Sequence, residues 1–230
     1  MTMDNSDKEF LETYSSESFE KPSVAVDLLI FTIHEGQMKV LLVKRTKSPF
    51  KDMLALPGTF VGIRESLDEA VKRVLKVKAG ISDELYFEQL FTWGDVDRDP
   101  RMRIIAVSYL ALVPDKMLVK LLGGSFDEVM YPVSDVVSAA GKLAFDHRKI
   151  IEYGRERIKN KTEYTNIAFE LLDGPFTLPQ LQDIYEILLD RPLYKANFRK
   201  KISNLVEETG EQVLEGAHRP SKLYRRKNDL

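Results

Sequence analysis

Between Val24 and Ile33 the chain reads V-A-V-D-L-L-I-F-T-I, apolar on both faces of an extended segment. Such a strand belongs in a sheet covered by helices on both sides. His34-Glu35-Gly36 makes a turn, and Met38 to Val43 returns as the partner strand, ending in Lys44-Arg45. Pro57-Gly58 is a turn signal. A glycine-bearing loop from Gly58 then feeds a helix. Ser66 followed three residues on by Glu69 is a capping box, so the helix starts near Leu67. Ala70, Val71, Val74, Leu75 and Val77 form its apolar stripe, and Gly80 sits where a helix-ending glycine belongs. Leu85 to Trp93 and Ile104 to Val113 read as further strands, and Tyr131 to Val137 as the last strand and turn of this part. A long helix runs from Phe145-Asp146-His147 through Lys159, with Asp146 as N-cap. His147 reads as a solvated residue at the helix start, since no nucleophile or metal set accompanies it.

Past residue 160 the pattern becomes helical and short. Thr165 to Leu172 is a small helix. Thr177 caps a second helix with Pro179 in its first turn and Leu178, Leu181, Ile184, Tyr185 and Leu188 on its apolar face. A third starts near Ala196, with Phe198, Ile202 and Leu205 inward. Gln212 to Glu215 is a short strand, Gly216 to Ser221 a loop, and Leu223-Tyr224 the returning strand. Helix, turn, helix and hairpin is the order of a winged helix-turn-helix.

Composition narrows the classes. The chain has 230 residues, 43% of them hydrophobic, enough for one large domain or two small ones. It has no cysteine, which excludes disulfides, thiolate catalysis and cysteine-ligated zinc. No apolar run is long enough to span a bilayer. The start of the chain is polar and acidic with no signal-peptide core, so a cytoplasmic protein is expected, with no membrane partner. Residues 1–21 read as a flexible tail, plainly disordered or with a short helical piece around Phe10 to Tyr14. Net charge is only −2, but its distribution is uneven. Arg191 to Ile202 holds five basic residues and no acid, and so does Arg219 to Lys227. Two basic elements at a recognition helix and a wing are the footprint of duplex DNA. Asn197 and Arg199 have the bidentate chemistry for base edges, and Lys195, Lys200, Arg219 and Lys222 that for phosphates, with Ser221 beside them. The plainer alternative is a solvated charged helix in an accessory domain.

The segment from Gly58 to Ile81 resembles the Nudix box, G-x5-E-x7-R-E-U-x-E-E-x-G-U. Glu65, Arg73, Leu75, Gly80 and Ile81 fall on its positions, while the opening glycine falls on Thr59. Val74, Val77 and Lys78 stand where three glutamates belong. Those carboxylates would hold magnesium on a substrate diphosphate, since magnesium takes hard oxygen ligands. Valine offers no lone pair and lysine repels a cation. The resemblance therefore implies a pocket without hydrolysis, with no catalytic residue, metal or cofactor. Lys78 either supplies a fixed positive charge in place of the metal or extends into solvent.

Residues 94–103, G-D-V-D-R-D-P-R-M-R, resemble a segment of Nudix proteins related to ADP-ribose pyrophosphatases. Arg98, Arg101 and Arg103 offer forked donors to phosphate or ribose oxygens, with Asp95, Asp97 and Asp99 locking the loop. The alternative is a surface loop knitted by its own ion pairs. Arg45, at the end of the first hairpin, is either a ligand contact or a solvated strand end. F-D-H-R, F-T-L-P-Q-L-Q-D-I-Y-E and N-F-R-K-K-I extend the resemblance to the NrtR-type Nudix-related transcriptional regulators. This implies an α+β chain: a Nudix-like α/β/α sandwich with a mixed sheet over residues 22–160, followed by a winged helix-turn-helix domain over 161–230. It also implies a homodimer on operator double-stranded DNA, and an effector such as ADP-ribose or a related NAD metabolite, or a sugar as in some relatives. The implied ligand residues are Arg45, Glu65, Arg73, Lys78, Asp97, Arg101 and Arg103. An active hydrolase using Glu65, Asp68, Glu69 or the Asp95–Asp99 cluster is the competing reading.

Overall fold

The computed structural model describes residues 4–15, 17, 19–80, 85–139, 141, 143–214 and 220–227, without the side chains of Lys78, Ala79 and Asp127. After a nine-residue helix α1 (Asn5–Thr13) the chain enters a mixed sheet. Its strands are β1 (Ser23–His34), β2 (Gln37–Leu41), β5 (Gly58–Phe60), β6 (Phe87–Trp93), β7 (Ile104–Leu112) and β8 (Met130–Pro132). The order is β6-β7-β1-β2-β8, with β5 also paired to β1. β1 and β7 run parallel from Ser23↔Ile104 to Phe31↔Leu112, and the other pairs are antiparallel. A two-stranded ribbon, β3 (Val43–Lys44) and β4 (Leu54–Ala55), stands apart. Glu35 and Gly36, both at positive φ, make the two-residue turn between β1 and β2.

The doubly apolar strand explains the layers. Val26, Leu28 and Ile30 of β1 face helix α2 (Leu67–Ala79) and α3 (Asp115–Leu122), packing with Ala70, Val71, Val74, Leu75 and Leu118. Leu29 and Phe31 face the other way, onto α5 (Val133–Ser138) and α6 (His147–Tyr164). Gly154 in α6 permits this approach, because a Cβ there would lie 2.4 Å from the Leu29 side chain. The same core continues into a 3-10 turn (Ile167–Leu171), α7 (Leu178–Leu189), α8 (Lys195–Ile202) and the hairpin β9 (Val206–Val213) and β10 (Ser221–Arg226). Short α4 (Phe126–Val129) precedes β8. Among the described residues no helix is long and apolar enough to cross a membrane.

Several expectations change. Gly58 lies in strand β5, not in a turn. Val77 is 70% exposed and outside the stripe, whereas Val74 is 2% exposed and fully part of it. α3 was not foreseen, and Tyr131–Val137 divides into β8 and α5. The element after residue 165 is 3-10, and β9 begins at Val206, well before Gln212. His147 is not solvated; it is buried.

Candidate functional site

A cavity of about 320 Å³ opens at the end of the sheet where β1, β5 and β7 meet. Alternation along β1 turns Ala25 and Asp27 into it, and β5 adds Gly58, Thr59 and Phe60. The start of α6 contributes Phe145 and His147, and the loop before β7 contributes Arg98, Asp99 and Arg101.

The floor is a buried ionic network. Arg98, with a side chain 4% exposed, donates to both oxygens of Asp146 at 2.9 and 2.7 Å and to Asp27 at 3.3 Å. Burial lowers its guanidinium pKa, but the two carboxylates outweigh that and raise it. Asp146 therefore makes no side-chain cap to α6, although it sits at the N-cap position. His147 Nδ1 accepts from the Leu56 N–H at 2.9 Å, and its Nε2 lies 3.9 Å from Asp27. Burial pushes the imidazole pKa down, so the ring is neutral and carries its proton on Nε2, towards Asp27.

The mouth is cationic and aromatic. Arg45 lies 4.7 Å from the Phe145 ring centre, and Arg101 lies 5.6 Å from Phe145 and 5.7 Å from Phe60. Arg45 donates to the carbonyls of Pro49 and Lys47, which fix its orientation. Burial, then the neighbouring Arg101, pulls its pKa below the ordinary value. An anion between the two guanidiniums would relieve that repulsion. Asp99 holds Arg101 through two bonds of 2.9 and 2.7 Å.

Of the seven expected ligand residues, the structure brings Arg45 and Arg101 to the cavity wall. Glu65 and Arg73 are occupied with each other by bonds of 2.7 and 2.8 Å. Arg73 also donates to Thr59 Oγ1 and the Phe60 carbonyl, and Glu65 accepts from the Gly62 N–H. This pair staples the loop after β5 to α2 and does not line the cavity. Arg103 bonds the Asp95 carbonyl, and Asp97 does not line the cavity either. The expected knitting of 94–103 holds for Asp99 with Arg101, whereas Arg98 reaches out of the loop to β1 and α6 and Asp95 meets Lys149. The Lys78 side chain lies outside the described residues. Asp27, Phe60 and the buried role of His147 were missed. The Phe145-Asp146-His147 run and the lone acid in an apolar strand were the available signals.

The order of the loop after β5 is expected to depend on pH. Arg73 and the Gly62 amide hold the Glu65 pKa down, from 4.5 to about 2. A depressed carboxylate stabilises above its unfolded pKa and loses that contribution as pH falls through the folded one. Exchange of the Gly62 amide is expected to be slow above pH 4.5 and to accelerate relative to its intrinsic rate as pH falls from 4.5 towards 2. Glu65→Gln should remove that dependence.

On the winged helix, α7 begins at a capping box of Thr177 and Gln180 and packs Tyr185 against Phe198 of α8. That packing turns Lys195, Asn197, Arg199 and Lys200 outward, all exposed. The wing differs from its expected basic character. β9 places Glu208 on Lys222 at 2.9 Å and Glu207 on Arg225 at 2.6 Å, while Arg226 meets Glu170. Lys222 is thus already paired, Ser221 is half-buried, and Arg219 lies outside the described residues.

Comparison with known proteins agrees with both halves. The NUDIX domain model matches residues 21–154, and the NrtR DNA-binding winged helix domain model matches residues 168–226. A protein of Acinetobacter baylyi described as an ADPR responsive transcriptional repressor is 36% identical over 96% of this chain and 88% of its own length. Shewanella oneidensis NrtR, solved with a 27mer DNA, is 37% identical with a TM-score of 0.79, covering 89% of this chain and 93% of its own. The NUDIX domain of the same Shewanella protein, solved with ADP ribose, is 33% identical with a TM-score of 0.54, covering 67% of this chain and 99% of its own. By fold, by both domain models and by near full-length similarity, the chain belongs to the NrtR-type Nudix-related transcriptional regulators.

Proposed function

We propose that this protein is a repressor that binds operator DNA through its winged helix, and that its Nudix cavity binds ADP-ribose as a signal without cleaving it. The carrying observation is the exposed row Lys195, Asn197, Arg199 and Lys200 on α8, in a chain matched over most of its length by a relative solved on DNA. Residues 22–160 would sense and residues 161–230 would bind DNA, with α6 crossing from one to the other. A homodimer would set two α8 helices in successive major grooves about 34 Å apart.

Arg45 and Arg101 would take the pyrophosphate, and Phe60 and Phe145 would stack on the flat parts of the ligand. Absence of hydrolysis is supported by the box itself. Val74 and Val77 carry no oxygen at positions where the family places glutamates, and Val74 is committed to the core beneath α2. With Lys222 already paired, α8 rather than the wing strand supplies the main cationic contact.

Titration of a labelled upstream promoter duplex with the full chain, with and without ADP-ribose, tests the reading. Arg199→Ala is expected to weaken specific binding about 10- to 100-fold, the value of one bidentate base contact. Lys200→Ala should lower the salt slope by about 0.9, one phosphate contact. Arg101→Ala is expected to weaken ADP-ribose binding about tenfold or more, the loss of charge-assisted hydrogen bonds, with DNA binding unchanged in its absence. DNA binding that is absent, or insensitive to salt, would end the proposal.

A further inference from the structure

We infer that the acidic N-terminal segment docks on the mouth of its own ligand cavity and competes there with the anionic ligand. The inference rests on the cavity reading above for the ligand, and on independent features of the segment for the docking. Residues 4–20 carry Asp4, Asp7, Glu9, Glu12, Glu17 and Glu20 against the single base Lys8. Phe10 and Leu11 of α1 and Tyr14 at its C-cap are all exposed, as is Phe19. The rings form a row, with Phe10 5.5 Å from Tyr14 and Tyr14 6.1 Å from Phe19. A helix of this length is marginal in water without a surface to lie on, since isolated helices need about 12–15 residues. Asp4 caps α1 through the Asp7 amide, so the sequence nevertheless encodes a helix.

The cavity mouth is the complementary surface. Arg45 and Arg101 supply cations, and Phe60, 42% exposed, adds apolar area beside Arg101. Position selects this site over the other basic surface, on α8. The segment is rooted at Ser23, which pairs with Ile104 of the cavity wall and stands two residues before Ala25 on the same strand face. The winged helix lies at the opposite end of β1, where Glu35 shares a second cleft with Phe176. Twelve residues of strand separate the two ends by about 40 Å. Docking at the near end sets carboxylates against the two arginines that a pyrophosphate would otherwise neutralise.

The test uses the full chain, ligand-free, alongside two full-length variants: Asp7→Asn/Glu9→Gln/Glu12→Gln and Phe10→Ala/Tyr14→Ala. These positions are exposed, so thermal melts should be unchanged. Hydrogen exchange at residues 58–64 and 99–103 is expected to speed up about three- to tenfold in both variants, as for a few weak surface ion pairs. Carbodiimide should join Glu9 or Glu12 to Lys44, Lys47 or Lys51 within one chain of a light and heavy isotope mixture. ADP-ribose should bind the charge-neutralised variant about three- to tenfold more tightly. Equal exchange in all three proteins, cross-links only between chains, or protection at residues 195–202 instead would overturn the inference. If neither form binds ADP-ribose, the ligand reading fails while exchange and cross-linking still decide the docking.

Discussion

Arg98→Met is expected to cost about 3–5 kcal/mol, the penalty for leaving buried charge unpaired. The melting temperature should fall by about 6–20 °C for a chain of this size. The magnitude follows from the surroundings. Arg98 is the buried cation between Asp27 and Asp146, whose side chains are only 11% and 9% exposed. Methionine fills similar volume, so the loss measures charge more than packing. The decisive comparison is the triple variant Arg98→Met/Asp27→Asn/Asp146→Asn. Removing all three charges should recover most of the loss, because a neutral buried cluster avoids the desolvation that the lone carboxylates suffer. If Arg98→Met alone costs less than about 1 kcal/mol, the network is solvated and resembles a surface pair. The network also joins the cavity floor to the first turn of α6, and α6 reaches the winged helix through Arg155 to Asp190 and Glu163 to Arg191. Any ligand-dependent change in DNA affinity should therefore weaken more in Arg98→Met than ligand binding does. Only a difference in ligand affinity between two arrangements of α6 can move DNA affinity.

The sequence made the elements legible wherever one local rule decided them. β1, the capping boxes, the αL glycine after α2 and the Thr177-Pro179 start of α7 are local signals, and all appear in the structure. The cavity was legible only in part, because its wall is assembled from residues far apart in the chain. Asp27 sits in an apolar run and gives no sign that Arg98 and Asp146 will meet it. His147 reads as solvated because no nucleophile or metal set accompanies it, yet the Leu56 amide, in the short link between β4 and β5, closes over it. Glu65 and Arg73 were assigned to ligand from family positions, whereas the structure shows each satisfied by the other. The wing misled in the opposite direction. Counting charge from Arg219 to Lys227 found five cations, but a hairpin sets β9 opposite β10, and its Glu208 and Glu207 pair with two of them, Lys222 and Arg225.

Gly58→Ala is expected to destabilise the chain by about 1–3 kcal/mol and to damage the cavity beyond what that figure conveys. A Cβ at this position would lie 2.5 Å from Asp27 Oδ1 and 2.8 Å from the Val26 carbonyl oxygen. Neither neighbour can retreat cheaply. Asp27 is held by Arg98, and Val26 belongs to a strand paired in register with β7 over nine residues on one side. The strain must then be taken up by β5, whose register with β1 covers just Gly58, Thr59 and Phe60, flanked by backbone bonds at Pro57 and Val61. Moving β5 carries Phe60 away from Arg101 and pulls Thr59 and the Phe60 carbonyl off Arg73. ADP-ribose affinity should consequently fall at least as far as stability, while α8, remote from β5, keeps its DNA affinity in the absence of ligand. Gly36→Ala separates this steric cause from a conformational one. Gly36 has φ of +74° with nothing within 4 Å of its added Cβ, so alanine there should cost only about 1–2 kcal/mol of left-handed strain and leave ligand binding intact. Equal effects of the two substitutions on ligand affinity would show that close approach of β5 to Asp27 does not shape the cavity.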